Sequence, residues 1–235
     1  MNWRIEIGGV DTLLIYADAP VAEQTSARIQ QAAQALRAGL AQQLVELVPS
    51  YTSLLLQYDV LHADYAAMRQ AVLAILAQLP EQLPQDEGQL IEIPVYYSAE
   101  TGPDLLPLAQ RTGLSVEEVI ALHTATTYRV YAIGFAPGFA YLGQVDERLA
   151  SPRLATPRLQ VPAGSVGIAE RQTAIYPLNS PGGWNLLGRT PLRMFDAGRE
   201  PASLLAAGQR VRFQAISQAE FVALGGQLEE GACKV

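Results

Sequence analysis

Residues 134–191 decide the fold of this chain, and they read GFAPGFAYLGQVDERLASPRLATPRLQVPAGSVGIAERQTAIYPLNSPGGWNLLGRTP. The stretch is rich in glycine and proline, yet it also contains aromatic and β-branched residues. Glycine and proline fix turns, whereas aromatic and β-branched residues favour extended backbone. The stretch therefore predicts extended segments joined by fixed turns, with polar side chains and backbone amides left to face a ligand.

The segments around this stretch are predicted to be mainly β. Alternation of apolar and polar residues is typical of half-buried strands. The predicted strands are Leu90–Tyr97, Thr127–Phe135, Val166–Ile168, Thr173–Tyr176 and Arg210–Ala215. Two short helices, Asp104–Thr112 and Val116–Leu122, are predicted after the first strand, and Ser115 with Glu118 forms a capping-box pattern for the second. Many short strands with frequent turns favour a closed or nearly closed barrel.

The N-terminal part of the chain predicts a separate α+β fold. Its order is ββαββα, which places helices on one face of a sheet. The predicted elements are strands Trp3–Ile7 and Thr12–Tyr16, helix Ala22–Leu40, strands Leu44–Val48 and Ser53–Tyr58, and helix Asp64–Leu79. A turn at Pro49-Ser50 is predicted between the second pair of strands. Pro80–Gly88 is polar, contains two prolines and is the best domain boundary.

Composition bounds the class of protein. The 235 residues are 49% hydrophobic and 17% charged, which suits a soluble chain of one or two domains. The net charge of −7 argues against nucleic-acid binding, and no apolar run is long enough for a membrane span. The single cysteine, Cys233, excludes an internal disulfide. A cytoplasmic protein is the expectation.

Several common chemistries are excluded or disfavoured. No Walker-type phosphate loop is present, and the only lysine is Lys234. The two histidines, His62 and His123, are far apart and have no cysteine partner, so no metal site is expected. Ser165 in the sequence AGSVG resembles a nucleophile elbow, but no histidine follows it to act as the base, and a structural serine in a turn is favoured.

Arginine is the cation that could bind an anionic substrate. Nine arginines and five acidic residues lie between Gln144 and Phe213, and the planar guanidinium suits carboxylate or phosphate. Arg153 and Arg158 each follow a proline, so a stiff backbone holds two forks that could clamp an anion. Arg189 is a third candidate, although most arginines are expected to be solvated surface.

A turn and a strand supply the remaining candidates. Ser180-Pro181-Gly182-Gly183 is predicted to be a tight turn whose amides bind oxygen atoms, with a plain hairpin turn as the alternative. Trp184 is expected to fill the barrel end or stack on a ligand. Gln172, Thr173 and Tyr176 lie on a predicted strand, where Gln172 and Thr173 can hydrogen-bond an amide. His123 is a candidate base. A lone histidine is more often a cation at the end of a helix or a ring packed in the core.

The long motifs of this region resemble a known family, that of the 5-oxoprolinase B subunit, also called allophanate hydrolase subunit 1 or KipI-like. The matching segments are Val130–Gly143 (VYAIGFAPGFAYLG), Pro152–Ile168 (PRLATPRLQVPAGSVGI), Gln172–Pro177 (QTAIYP) and Ser180–Pro191 (SPGGWNLLGRTP). The chain departs from the family pattern at Ala140, Glu170-Arg171 and Ala174, beside the proposed binding rim.

The resemblance implies a fold and a function. The fold is a small α+β domain over residues 1–87 and a cyclophilin-like β-barrel over residues 88–235. The function is that of the B subunit of a bacterial 5-oxoprolinase, which pairs directly with the C subunit and acts with the A subunit to hydrolyse 5-oxo-L-proline to L-glutamate with ATP. ATP and magnesium are expected on the assembled complex, with no tightly bound cofactor in this chain and little activity alone.

The resemblance also leaves alternatives open. Relatives include an inhibitor of a sensor histidine kinase and the modules of allophanate and urea-type carboxyltransferases or amidolyases. If the chain is an enzyme component, His123 and Gln172 are the candidate catalytic residues. The candidate substrate- or anion-binding residues are Arg153, Arg158, Thr173, Tyr176, Ser180, Gly182, Gly183, Trp184 and Arg189.

Overall fold

The chain divides into two compact units, Met1–Glu87 and Gly88–Val235. A computed structural model describes residues 1–82 and 89–228. Cys233, Lys234 and most of the predicted boundary Pro80–Gly88 lie outside the described residues. Within the described part of the chain, no helix is both long enough and apolar enough to cross a membrane.

The first unit is an antiparallel four-stranded sheet with two helices. Its elements are β1 (Trp3–Ile7), β2 (Thr12–Ala17), α1 (Glu23–Gly39), β3 (Leu44–Ser50), β4 (Ser53–Tyr58) and α2 (Tyr65–Ala77). The strand order is β1-β2-β4-β3. Ile29 and Leu36 of α1 and Met68 of α2 are fully buried in one core with Leu13 and Leu54 of the sheet. Burial of these apolar side chains is what holds the helices on the sheet.

One local prediction for this unit is wrong. Pro49 and Ser50 were expected to form a turn, but they are the last two residues of β3, and the chain turns at Tyr51 and Thr52. The strand β3 lies at an edge of the sheet, where a proline removes no hydrogen bond between central strands. Proline therefore did not mark the end of the strand here.

The second unit is built around a seven-stranded sheet. Its elements are β5 (Leu90–Val95), α3 (Leu105–Thr112), α4 (Val116–Ala125), β6 (Thr127–Ile133), β7 (Ala140–Gly143), a 3₁₀ turn (Glu147–Leu149), β8 (Arg158–Val161), β9 (Ser165–Ala169), β10 (Gln172–Ile175), β11 (Ser180–Gly182), β12 (Asn185–Arg189), β13 (Arg210–Ala215) and α5 (Gln218–Ala223). The sheet order is β12-β9-β10-β7-β6-β13-β5, and β8 pairs separately with β11. Only the β13–β5 pair of this sheet is parallel.

The two end strands of the sheet approach each other and nearly close it into a barrel. The Tyr96 amide, just beyond β5, donates to the Arg189 carbonyl at 2.9 Å, and the Arg189 amide donates back at 3.0 Å. A Cβ at Gly188 would overlap the Tyr96 carbonyl oxygen, so glycine permits this approach. The nearly closed barrel is therefore confirmed, with Leu142 and Ile168 among its fully buried core residues.

The structure confirms the capping box and corrects the predicted glycine turn. Ser115 accepts from the Glu118 amide at 3.1 Å, and Glu118 accepts from the Ser115 amide at 2.7 Å. In contrast, Ser180–Gly182 is not a tight turn but the strand β11, in which Ser180 pairs with Val161 and Gly182 with Arg158. The glycines had indicated a turn because sequence alone does not show the strand that pairs with them.

Candidate functional site

Four aromatic side chains form a small second core beside the barrel. Phe139, Tyr141, Tyr176 and Trp184 constitute this aromatic cluster. The Phe139 ring meets Tyr176 at 5.5 Å and Trp184 at 5.8 Å between centroids, both edge-on. Edge-to-face packing of this kind fixes ring orientation. The aromatic cluster is therefore a rigid platform for the polar groups around it.

Two of the predicted arginines border the aromatic cluster. The guanidinium of Arg153 lies 5.9 Å from the Trp184 ring centroid, within the range of a cation–π contact. Arg158 donates from Nη2 to Asp104 Oδ1 at 2.8 Å, and each side chain is only 11% exposed. Asp104 Oδ2 also accepts from the Leu186 amide at 2.7 Å. Arg153 is thus exposed to ligands, whereas Arg158 is partly committed to an internal ion pair.

The Tyr176 hydroxyl lies against the backbone of β11. A Cβ at Gly182 would overlap this hydroxyl, whereas one at Gly183 would make only ordinary contact with Pro157. Burial raises the pKa of Tyr176, while a hydrogen bond with the Trp184 backbone and the nearby charges of Arg153 and Arg158 oppose that rise. Tyr176 is therefore a neutral hydroxyl at neutral pH, and Gly182 provides the space for it.

These residues define one surface, the arginine–aromatic face, made of Arg153, Arg158, Tyr176, Gly182 and Trp184. The fold brings them together because β8 carries Arg158 opposite Gly182 of β11. Ser180, at the other end of β11, has a buried hydroxyl with no hydrogen-bond partner among the described residues. Arg153 is exposed at this face, whereas Tyr176 and Trp184 are buried beneath it, so the face offers a cation on a rigid aromatic base, which suits an anionic substrate.

The predicted catalytic residue His123 lies inside the barrel. It is fully buried and stacks on Phe213 at 4.5 Å between ring centroids. Its Nδ1 lies 2.7 Å from the Tyr97 hydroxyl, and its Nε2 lies 3.0 Å from Thr173 Oγ1. Because Thr173 Oγ1 donates to the Gly167 carbonyl, at 3.1 Å, it accepts from Nε2–H, and Tyr97 donates to Nδ1.

His123 is neutral inside the barrel. Burial lowers the pKa of His123 to about 3, because a charged imidazole would lose its hydration. Thr173, which was predicted to contact substrate, is likewise fully buried and bonded to His123. The placement of both residues supports internal packing and hydrogen bonding rather than contact with a ligand.

Gln172 lies at the start of β10 and is half-buried. Its backbone is opposite Gly143 of β7 and Ala169 of β9, so its strand neighbours belong to the barrel sheet. The turn before it holds Glu170 in the left-handed region, with φ of 53°. Glycine would adopt that conformation without cost. The arginine–aromatic face, in contrast, is built on the separate pair β8 and β11.

Arg189 lies elsewhere, at the end of β12. It is one of the lining residues of a cavity of about 260 Å³ together with Gly164, Asn179 and Thr190. The strands β8 and β11 separate this cavity from the arginine–aromatic face. Their Arg158–Gly182 end is at the face, and the Pro162 and Asn179 that flank their other end line the cavity. The predicted anion-binding residues therefore fall into two groups.

Asp104 is a polar residue of the site that sequence reasoning missed. It precedes α3, and its partner Arg158 is 54 positions away in the chain. An acidic residue before a helix is normally interpreted as a cap, and its side chain makes no capping hydrogen bond here. No local pattern indicates a carboxylate that reaches across to another strand.

Comparison with known proteins assigns the chain to a family. Residues 3–205 match the family described as carboxyltransferase domain, subdomain C and D. The chain is 37% identical over 231 residues to the 5-oxoprolinase B subunit of Bacillus subtilis (strain 168), a match that covers 94% of this chain and 96% of that protein. The chain belongs to the 5-oxoprolinase B-subunit family. The family predicted from the sequence motifs is confirmed.

A second relative and two solved structures agree with this assignment. The 5-oxoprolinase B subunit of Escherichia coli O157:H7 is 48% identical over 129 residues, or 55% of this chain and 59% of that protein. A crystal structure of TTHA0988 superposes with a TM-score of 0.78 at 38% identity, covering 94% of this chain and 41% of that chain. Kluyveromyces lactis urea carboxylase gives a TM-score of 0.71 at 15% identity, covering 94% of this chain and 22% of that one, and shows a common fold alone.

Proposed function

We propose that this chain acts as the B subunit of a 5-oxoprolinase that hydrolyses 5-oxo-L-proline to L-glutamate with consumption of ATP. Its partners in this proposal are the C subunit, in direct contact, and the A subunit, in the cytoplasm. The observation that carries the proposal is the match to the 5-oxoprolinase B subunit of Bacillus subtilis, because it extends over 94% of this chain and 96% of that protein. The two units would act as the α+β domain and the cyclophilin-like barrel that the family resemblance implies.

The reaction has a clear chemical requirement. A lactam is stabilised by resonance, so water attacks its carbonyl carbon slowly. Transfer of the γ-phosphoryl group of ATP to the lactam oxygen releases ADP and makes that carbon electrophilic. Addition of one water and cleavage of the ring C–N bond, with a proton taken up by nitrogen, then give an acyl phosphate, and a second water hydrolyses this acyl phosphate to glutamate and phosphate. Each step needs cations placed where negative charge accumulates.

The arginine–aromatic face can meet part of that requirement. Arg153 is exposed beside Trp184, so its guanidinium is available to phosphoryl oxygens. Arg158 has a buried Nη1 with no hydrogen-bond partner among the described residues, while its Nη2 is held by Asp104. Tyr176 is buried beneath them, and its neutral hydroxyl lies against Gly182. Because none of these is a Walker-type element, we assign binding of ATP and magnesium to the assembled complex, with this face as one wall of the site.

A composite site makes the isolated chain inactive. Co-expression with the A and C subunits, followed by an ATP-dependent assay of glutamate release, tests this directly. We expect turnover from the complex and none from this chain alone. Robust hydrolysis of 5-oxo-L-proline by the isolated chain would refute the shared site, and an intact three-subunit complex without hydrolysis would refute the proposed activity.

A pair of arginine variants tests the arginine–aromatic face. Arg153→Ala removes the exposed cation beside Trp184, and we expect at least a tenfold fall in kcat/KM, or about 1.4 kcal/mol of transition-state stabilisation. The matched control is Arg148→Ala, which removes another exposed arginine whose partner is Asp146 on the same 3₁₀ turn. Equal rates for both variants in an intact complex would remove Arg153 from the site.

A further inference from the structure

The cavity at the end of β12, here called the Arg189 cavity, has the features of a binding site in its own right. It is lined by Gly164, Asn179, Arg189, Thr190 and Arg193, with apolar walls that include Phe221. Among the described residues that line it, two are arginines and none is acidic. The arginine–aromatic face lies at the opposite end of β8 and β11.

Arg189 is a buried cation without a carboxylate partner among the described residues. The residue is only 6% exposed. Its Nη1 donates to the Gln227 carbonyl at 3.2 Å, which is a neutral acceptor. Its Nε has no hydrogen-bond partner in the same part of the chain. Guanidinium is always protonated in proteins, and a buried charge without a counter-ion is costly.

The pattern of used and unused donors points to a particular ligand. With Nη1 taken by Gln227 and Nε buried, Nη2 is the donor of Arg189 that no hydrogen bond occupies among the described residues. A charged guanidinium donor beside partly apolar walls suits the oxygen of a carboxylate. The neighbouring Ser165, which pairs with Arg189 across β9 and β12, has a buried hydroxyl that also lacks a partner in the described residues. Residues opposite each other on paired strands project to the same side of the sheet.

The backbone at Gly164 packs closely against Thr190 and the Arg189 side chain. Gly164 has φ of +82°, and a Cβ there would overlap the Thr190 carbonyl and lie 3.2 Å from Arg189 Cγ. A side chain at this position would therefore displace Thr190 and crowd Arg189. Asn179 Oδ1 accepts from the Ala163 amide at 2.7 Å, which fixes this part of the cavity wall.

We propose that the Arg189 cavity binds the carboxylate group of a small molecule. The carboxylate supplies a counter-ion, which Arg189 lacks among the described residues, and the apolar walls accept the hydrocarbon part of the ligand. Arg193, whose side chain is 82% exposed, adds positive charge where the cavity opens and has only a distant partner, Asp196, at 3.9 Å within the described chain. The source of the carboxylate rests on the proposed function. It is the cyclic substrate 5-oxo-L-proline or the open-chain product L-glutamate, which share this group.

Binding to the full-length chain tests the proposal without partners or ATP. Titration of the ¹⁵N-labelled protein with 5-oxo-L-proline and separately with L-glutamate should shift the amide signals of Gly164 and Thr190 with saturation. The tighter of the two identifies the source of the carboxylate. The lactam 2-pyrrolidinone, which lacks a carboxylate, should bind at least tenfold more weakly. Saturation by inorganic phosphate but by neither carboxylate would overturn the assignment of ligand class.

Variants connect binding to the arginines. Arg189→Lys keeps the charge but loses the planar guanidinium, and we expect at least a tenfold increase in Kd. Arg193→Glu is a surface change that does not threaten folding and should raise Kd at least threefold. Arg148→Ala, at an exposed arginine paired with Asp146, should leave Kd unchanged. Unchanged Kd in both Arg189→Lys and Arg193→Glu would overturn the proposal, and because no turnover is measured, loss of the proposed activity would not affect this result.

Discussion

The arginine–aromatic face and the Arg189 cavity each hold an arginine that folding has removed from water, but only one of these arginines has an acidic partner among the described residues. Arg158 meets Asp104 at 2.8 Å, and both side chains are 11% exposed. Arg189 is more buried, at 6% exposure, and within the same part of the chain it meets only a neutral carbonyl. A charge that the fold neutralises contributes to holding strands together, whereas a charge that the fold leaves without a partner is available to a ligand.

The largest expected effect comes from removing Arg158. Arg158→Met leaves Asp104 buried without its cation, and breaking a buried pair in this way costs about 3–5 kcal/mol. Arg189→Met removes a charge that has no acidic partner in the described chain, so its cost should be only about 1 kcal/mol, the value of the lost hydrogen bond to Gln227. Urea denaturation measures both variants. Only Trp3 and Trp184 are present, so Trp184 fluorescence in a Trp3→Phe background reports on the second unit.

Two outcomes would break the comparison. If Arg189→Met cost as much as Arg158→Met, Arg189 would have an internal role equivalent to an ion pair. If Arg158→Met were nearly neutral, Asp104 would be solvated in solution despite its burial. As a control, Arg158→Met in an Asp104→Asn background should cost less than it does alone, because no carboxylate is then left unpaired.

His123 sharpens the comparison, because it is a buried group that can avoid a charge by losing its proton. Burial holds its pKa at about 3, below its ordinary value of 6.5. The unfolded chain therefore binds a proton below pH 6.5 that the folded chain does not. The stability that the fold keeps by holding His123 neutral is fully present above about pH 6.5, and it is lost as the pH falls toward 3. Between pH 7 and pH 5, the loss from this residue should be about 2 kcal/mol.

A neutral replacement isolates this contribution. His123→Gln lacks a titrating ring, so its free energy of unfolding should fall about 2 kcal/mol less than that of the wild type between pH 7 and pH 5. Trp184 fluorescence again reports on the second unit. His62→Gln, at the other histidine and in the first unit, should keep the pH dependence of the wild type. An unchanged pH dependence in His123→Gln would show that His123 binds a proton inside the fold.

Much of the fold could be predicted because its signals are local. Alternation predicted the bounds of Trp3–Ile7, Ser53–Tyr58 and Arg210–Ala215 as the structure has them, and Ser115 with Glu118 predicted a true capping box. Those patterns depend on residues only a few positions apart. The sequence predicted a turn at Ser180–Gly182, where the structure has a strand, because the partner strand Arg158–Val161 lies about twenty residues earlier in the chain. No feature within the strand itself records that pairing.

The candidate site was predictable only in part for the same reason. Proline and arginine in residues 152–158 indicated a binding surface in this segment, and Arg153 lies beside Trp184. Sequence could not show that Asp104 forms an ion pair with Arg158. It also could not show that Arg189 lies at the other end of β8 and β11. Whether an arginine is free to bind depends on partners that only tertiary structure brings together. His123 and Thr173 looked polar and available, but they bond to each other in the core.

The smallest expected effect concerns an exposed charge, for which burial plays no part. Glu170 has φ of 53° in the turn between β9 and β10, a conformation that costs a non-glycine residue about 1 kcal/mol. Glu170→Gly relieves this cost but adds freedom to the unfolded chain, so we expect a net gain of about 0.5 kcal/mol. Ala169→Gly, one residue earlier in extended backbone, should instead destabilise by about 1 kcal/mol, because it frees the unfolded chain without relieving a left-handed conformation and also removes a buried Cβ. If both changes destabilised equally, the backbone conformation of Glu170 would carry no cost.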